Sequence, residues 1–226
     1  MRKIINQRER TPDPEILQGF KDLLKVYSPS CVVADAQERA GVMRSYMKPI
    51  DQDTRIAGTA LTVRMEPGNQ VDCLDALSVA QEGDVIVVDA AGETETSIWG
   101  GLMAGLSQMK GVVGAVVDGA IRDTDETRDL GFYIFSKAIV PRSTHTIVSG
   151  RMEPIEINVT IQCAGVVVNP GDIIIGDEVG VTVVPLENAG EVLEKAQKQA
   201  AMEEQTRARI REGKTVEQLL EEFGRL

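Results

Sequence analysis

Apolar residues Ile16, Leu17, Phe20, Leu23 and Leu24 follow Pro12-Asp13-Pro14 at helical spacing and predict a first helix. Ser28-Pro29-Ser30 ends it and opens a second helical stretch through Ala34 and Ala40. From Arg55 the pattern changes: Ile56 to Met65 is expected as a strand, and Pro67-Gly68-Asn69-Gln70 turns the chain into a helix from about Val71 to Ala80. The middle alternates. Gly83-Asp84 leads into a strand at Val85–Val88, a glycine-containing loop follows, then a helix from about Ile98 to Lys110 and a strand at Val112–Val117. This is a β-α-β unit whose near-continuous apolar strands suit a sheet buried on both faces. A strand at Tyr133–Phe135 follows the segment Asp125–Leu130. Beyond Ile155 the texture is all strand: Ile155–Cys163, Gly165–Val168, Ile173–Ile175 and Val181–Val184, with Asn169-Pro170-Gly171-Asp172 as a turn. The tail Ala189–Leu226 is helical, charged and amphipathic, with a break at Gly213.

With 226 residues, 42% of them hydrophobic, the chain suits one large domain with a core of its own. The formal net charge of −11 argues against nucleic acid or an anionic membrane as partner, since both require a basic face. An anionic substrate would therefore need a local positive feature: an arginine, a helix N-terminus or a metal. Cys31, Cys73 and Cys163 lie in separate apolar runs with neither zinc nor disulfide spacing, and are expected as buried free thiols. No apolar leader or stretch near 18 apolar residues is present, which makes a cytoplasmic location the default.

The β-α-β unit places the start of its helix and the end of its second strand on the same sheet edge, where ligands of open α/β sheets bind. The helix start is Trp99-Gly100-Gly101-Leu102-Met103, and the strand end is Asp118-Gly119-Ala120-Ile121-Arg122-Asp123. Glycines let a ligand approach the backbone, and first-turn amides bind an anion such as a carboxylate. Arg122 can grip a carboxylate or oxo group bidentately. Asp123 offers a hard oxygen to a magnesium-type cation. The plain alternative is a surface salt-bridging pair beside an ordinary glycine turn.

These residues also carry a resemblance. Gly58-Thr59-Ala60, Pro67-Gly68, Gly83-Asp84-Val85, Trp99 to Met103, Val117 to Asp123, Cys163-Ala164-Gly165, Pro170-Gly171-Asp172 and Asp177 to Val181 occur in the order found in the RraA-like proteins. That family includes 4-hydroxy-4-methyl-2-oxoglutarate/4-carboxy-4-hydroxy-2-oxoadipate aldolases and oxaloacetate decarboxylases. The resemblance implies an α/β fold: a layered α-β-β-α domain of the swivelling β/β/α type, with residues 1–50 as N-terminal helices, 55–185 as the α/β core and 187–226 as a helical tail. It implies that the amides of Gly100, Gly101, Leu102 and Met103 hold a pyruvate moiety, that Arg122 binds substrate, and that Asp123 ligates Mg2+ or Mn2+. It also implies a catalytic glutamate from a neighbouring subunit's C-terminal helix, aligned through Thr206-Arg207 to Glu203 with Glu204 as fallback, in a homotrimer or homohexamer with sites between subunits. One position departs from the pattern: the acidic residue expected twenty-one positions before the arginine, which orients water at the metal, is here Gly101. Asp89, Glu93 and Glu95 are the candidates to replace it.

The activity implied is metal-dependent release of pyruvate from a 2-oxo acid, by decarboxylation or retro-aldol cleavage. Decarboxylation ranks slightly higher because it needs no base at the C4 hydroxyl. The alternative is a non-enzymatic protein-binding regulator of ribonuclease E, a role whose bearers tend to lack the Arg-Asp pair. Other candidates carry bland readings. Lys137 is expected as a solvated lysine rather than a Schiff base, and His145 has no metal-ligating partner. Asp89-Ala90-Ala91-Gly92 lacks dinucleotide spacing, and Asn69 and Gln70 are as well explained by capping. Leu102, Met103, Leu106 and Met109 are expected in the core, and Glu203–Lys214 as a solvated face.

Overall fold

The computed structural model describes residues 4–65, 73–144 and 155–224. The chain opens with a short strand, β1 (Ile4–Ile5), and then helix α1 (Pro14–Leu23). The Asp13 carboxylate accepts the Glu15 amide at 2.8 Å and Pro14 supplies a preset φ, so the sequence dictates where α1 starts. Helix α2 (Pro29–Ala36) stops short of Ala40 because Glu38 and Arg39 adopt left-handed backbone, which no helix continues through. A two-residue strand β2 (Lys48–Pro49) precedes the central strand β3 (Ile56–Met65), buried everywhere except Arg64.

The next elements are β4 (Asp84–Asp89), β5 (Ser97–Trp99), α3 (Gly101–Met109), β6 (Gly114–Ile121), α4 (Thr124–Asp129) and β7 (Tyr133–Ile139). Strands β8 (Ile155–Ile157), β9 (Ile161–Cys163), β10 (Val166–Val168), β11 (Ile173–Asp177) and β12 (Gly180–Val184) follow. The tail holds α5 (Ala189–Arg211) and α6 (Val216–Phe223), separated at Gly213 with φ +82°. Thr215 and Gln218 form a reciprocal capping box that starts α6.

Strands β3, β4, β6 and β7 run parallel, and the main sheet has the order β1-β8-β3-β4-β6-β7-β2, with β11 also on β3 and β12 on β11. The period-2 alternation of the strands sorts their side chains into layers. Ile86 and Val88 of β4 pack with Met103 and Ala104 of α3, whereas Val85 and Val87 pack with Ile161, Val168 and Val183. In β11, Ile174 joins that second layer while Ile173 and Ile175 meet Phe20, Val33, Val192 and Ala196 of α1, α2 and α5. The result is helix, sheet, sheet, helix in one domain, as the resemblance implied.

Several sequence expectations need correction. The stretch from Ile98 is not all helix: Ser97–Trp99 pairs with Ala120 and Ile121 as β5, and α3 begins only at Gly101. Strand β6 continues past Val117 to Ile121. Leu74–Ser78 forms a 3-10 turn, while Pro67–Gln70 and Val71 lie outside the described residues. Cys73 and Cys163 are buried, but Cys31 is exposed. Among the described residues no helix is long and apolar enough to cross a membrane.

Candidate functional site

The parallel strands end together at Asp89, Ile121 and Ile139, and the segments leaving them build the site. Trp99, buried and stacked on Phe132 with ring centres 6.0 Å apart, anchors β5. Its carbonyl accepts the Arg122 amide at 2.9 Å, which fixes the start of α3 against the end of β6. Gly100 caps α3 without a side chain, so first-turn amides are left to neighbouring groups. A β-carbon on Gly100 would stand 2.6 Å from Asp123 Oδ2 and 3.3 Å from Arg122 Nε. Only glycine lets the two side chains come this close to the backbone.

Asp123 has φ +52°, a left-handed conformation that aspartate tolerates better than most residues. It precedes α4 without capping it through its side chain. The carboxylate turns instead toward the Gly101 amide, 3.3 Å from Oδ2, and toward Arg122 Nε at 3.4 Å. Both side chains are 40% exposed, open to a ligand yet close enough to act together. Thr127 holds the turn by donating its hydroxyl to the Asp123 carbonyl at 2.9 Å.

Directly over Gly101 lies a carboxylate that the sequence reading missed. A β-carbon built on Gly101 would overlap the Glu126 carboxyl group. Glu126 thus fills from α4 the space that a side chain at position 101 would otherwise enter. Of the sequence candidates for that replacement, Asp89 accepts the Ala91 amide at 2.9 Å and Glu93 accepts the Glu95 amide at 2.6 Å. Glu126 stands three residues after Asp123, in the first turn of α4.

The match to known proteins now bears on this geometry. A family model described as RraA-like (Aldolase/RraA) matches residues 30–183. The chain belongs to the RraA-like family. A Halalkalibacterium halodurans relative, provisionally named a 4-hydroxy-4-methyl-2-oxoglutarate aldolase, is 38% identical over 177 residues, covering 78% of this chain and 81% of that protein. The protein named 4-hydroxy-4-methyl-2-oxoglutarate aldolase in Thermus thermophilus is 33% identical over 58% of this chain and 76% of its own length. The structure of Streptomyces coelicolor RraAS2, described as an unusual member of the RNase ES inhibitor RraA family, superposes with a TM-score of 0.74 at 30% identity, covering 88% of this chain and 99% of that one.

Within this RraA-like fold, Gly100, Gly101, Arg122 and Asp123 come together as the motif suggested; Glu203, expected to reach the site from a neighbouring subunit, stands apart from them in its own chain. Glu203 lies on α5, where Gln199 donates to it at 3.0 Å and Arg207 at 2.6 Å, beside Asp35, Met202 and Phe223. The side chains expected in the core of α3 divide. Met103 is buried, whereas Leu102 is 78% exposed, Met109 84%, and Leu106 is also exposed. The buried set on that helix is Gly101, Met103, Ala104 and Ser107, so α3 turns Met103 and its small residues inward and Leu102, Leu106 and Met109 outward. His145, Asn69 and Gln70 lie outside the described residues.

On the opposite face of β6 sits a polar group of different character. Asp118, buried, accepts the Tyr46 hydroxyl at 3.0 Å and the Ala164 amide at 2.7 Å. Burial, reinforced by the Asp118 carboxylate, pushes the Tyr46 phenol up to about 12. The folded value lies above the unfolded one, so this hydroxyl stabilises the fold below pH 10 and loses that contribution as pH rises toward 12. In an ultraviolet pH titration, Tyr46→Phe is expected to abolish the highest-pH tyrosinate transition; an unchanged titration would refute the assignment.

Proposed function

We propose that this RraA-like protein is a divalent-metal-dependent lyase that releases pyruvate from a 2-oxo acid. The observation carrying the reading is Arg122 beside Asp123, with Asp123 accepting the Gly101 amide and the Glu126 carboxylate lying over Gly101. The relatives named as aldolases support the reaction class.

Among the described residues no three acidic, histidine or cysteine side chains converge as a full ligand set. The fit is nevertheless good for a hard cation of the magnesium type, which keeps several waters and takes one or two carboxylates. Asp123 would hold it and Glu126 would assist. When bound, the metal supplies Lewis-acid polarisation of the substrate's 2-oxo group. The protein's own groups do the rest. Amides at the start of α3 fix the substrate carboxylate through directed hydrogen bonds. The Arg122 guanidinium neutralises the negative charge that develops on the 2-oxo oxygen as the bond to C3 breaks. Glu126 orients water and can accept a proton from it, the task left open by glycine at position 101. Decarboxylation requires carbon dioxide to leave C3 and a proton to return there. Retro-aldol cleavage also needs a base at the C4 hydroxyl, and Glu126 is the nearest candidate.

The test is pyruvate release from oxaloacetate and from 4-hydroxy-4-methyl-2-oxoglutarate, with Mg2+ or Mn2+ and with EDTA. Turnover well above the metal-only rate and abolished by EDTA is the expected result. No turnover of either substrate would remove the proposal, and retained ribonuclease-binding activity alone would favour the regulator reading. Glu126→Gln is expected to lower kcat/KM by about 10–100-fold, the range for groups that orient water and ligands around a metal. Because Glu126 and any side chain at position 101 compete for one volume, Gly101→Asp combined with Glu126→Ala should recover much of that loss. Failure of the double variant to exceed Glu126→Ala alone would show that Glu126 does not take over that position's role.

A further inference from the structure

We infer that Lys137 is a positioning residue that pins the Gly92 turn and thereby sets Gly100-Gly101 against Arg122-Asp123; this rests on the lyase reading above. The Gly92 peptide is held from two strands at once. Its amide donates to the Asp118 carbonyl of β6 at 3.0 Å, and its carbonyl accepts the Lys137 ammonium of β7 at 3.1 Å. The ammonium is itself fixed, 5.1 Å from the centre of the Tyr46 ring, and Tyr46 is tied to Asp118 at 3.0 Å. Lys137, Tyr46 and Asp118 thus form a closed brace across the carboxyl ends of β6 and β7. Gly92 suits the brace on two counts: its φ of +75°, and a β-carbon there would collide with Lys137 Nζ.

The brace bears on the site through chain connectivity. Residues 90–96 run from the end of β4 into β5, and β5 delivers the Trp99 carbonyl to the Arg122 amide and Gly100-Gly101 to Asp123. Glu93, next to Gly92, keeps its carbonyl 3.3 Å from where a β-carbon on Gly119 would stand, so the turn is seated on β6 two residues before Ile121. A small shift of this turn moves the amide end of the site relative to the guanidinium. Misplacement of about 1 Å from a distant change can reduce rate 100-fold. Asp123 is carried by the other segment, after β6, so its hold on a metal should change less than the placement of the substrate does.

The experiment compares wild type, Lys137→Met and Lys137→Arg in three measurements: oxaloacetate kinetics, inhibition by oxalate (a planar mimic of the pyruvate enolate), and Mn2+ affinity by electron paramagnetic resonance. Lys137→Met is expected to raise KM and the oxalate inhibition constant about tenfold, with a smaller change in Mn2+ affinity. Lys137→Arg, which keeps charge and donor, should restore most of both. Wild-type kinetics in Lys137→Met would overturn the inference, as would parallel losses of melting temperature and Mn2+ affinity that arginine does not rescue. If wild type neither turns over nor binds oxalate, the lyase reading fails. The brace is then judged separately by hydrogen exchange: faster exchange of the Gly92 to Gly101 amides in Lys137→Met supports the pin, and unchanged exchange refutes it.

Discussion

Asp123→Asn is expected to lower metal-dependent pyruvate release by more than about 100-fold while leaving the protein folded. Outer groups around a metal account for roughly 10–100-fold each, and Asp123 is proposed to touch the ion itself. Asparagine is the informative substitution because it tolerates the left-handed backbone at φ +52° and keeps the side chain's shape. It removes only the charge that faces Arg122 Nε at 3.4 Å. That pair is 40% exposed and contributes at most about 1 kcal/mol to stability, so the melting temperature should barely move. A coupled assay with Mg2+ in excess, alongside a melting curve, reads both quantities. Activity within threefold of wild type would exclude Asp123 as the metal's protein ligand.

Arg8→Ala is expected to produce the largest loss of stability, about 3–5 kcal/mol, because it leaves a buried carboxylate without its cation. Arg8 Nη1 meets Asp84 Oδ1 at 2.7 Å with only 5% and 1% of the two side chains exposed, and Nη2 meets Gln81 Oε1 at 2.7 Å. For a chain of this size that loss lowers the melting temperature by roughly 6–20 °C. Breaking an exposed pair such as Lys198–Glu194 should leave the melting temperature nearly unmoved, a contrast that tests burial rather than charge count. Burial already pushes the Asp84 carboxyl above its ordinary 3.8, with Arg8 pulling it back. Without Arg8 the folded value rises further, so the folded state binds the extra proton. The deficit of the variant should therefore widen as pH rises and narrow toward pH 4. A deficit independent of pH would mean that lost packing, not the stranded charge, is responsible.

How much could be read in advance differs by residue, for physical reasons. Strand β3 was legible to its ends because ten residues of nearly unbroken burial leave little choice of period. The Gly100-Gly101 and Arg122-Asp123 segments were legible because each is contiguous in sequence and the β-α-β connection alone brings them to one edge. Glu126 was hidden in Thr124-Asp125-Glu126-Thr127-Arg128-Asp129, a run whose charges resemble any solvated surface until the turn beginning at Asp123 selects one of them. Helix α3 misled in the opposite direction. It carries apolar residues on both sides, and periodicity cannot say which side faces in when small residues pack tightly enough to serve as the core face. Strand β5 is three residues long, too short for any period to register. Arg8 gave no signal: one arginine in a polar stretch looks solvated until the topology carries it beneath β4.

The N-terminal attachment also constrains the order of assembly. Ile4 and Ile5 pair with Glu156 and Ile157, and Asn6 exchanges hydrogen bonds with Asn158, 152 positions away. Arg8 must likewise wait for Asp84. Contacts of such sequence separation close late, because the entropy of the intervening loop must be overcome before they return anything. The segment 4–10 thus ties β8 to the start of β4 from outside the β3-β4-β6-β7 run, joining two parts of the sheet that the chain visits far apart.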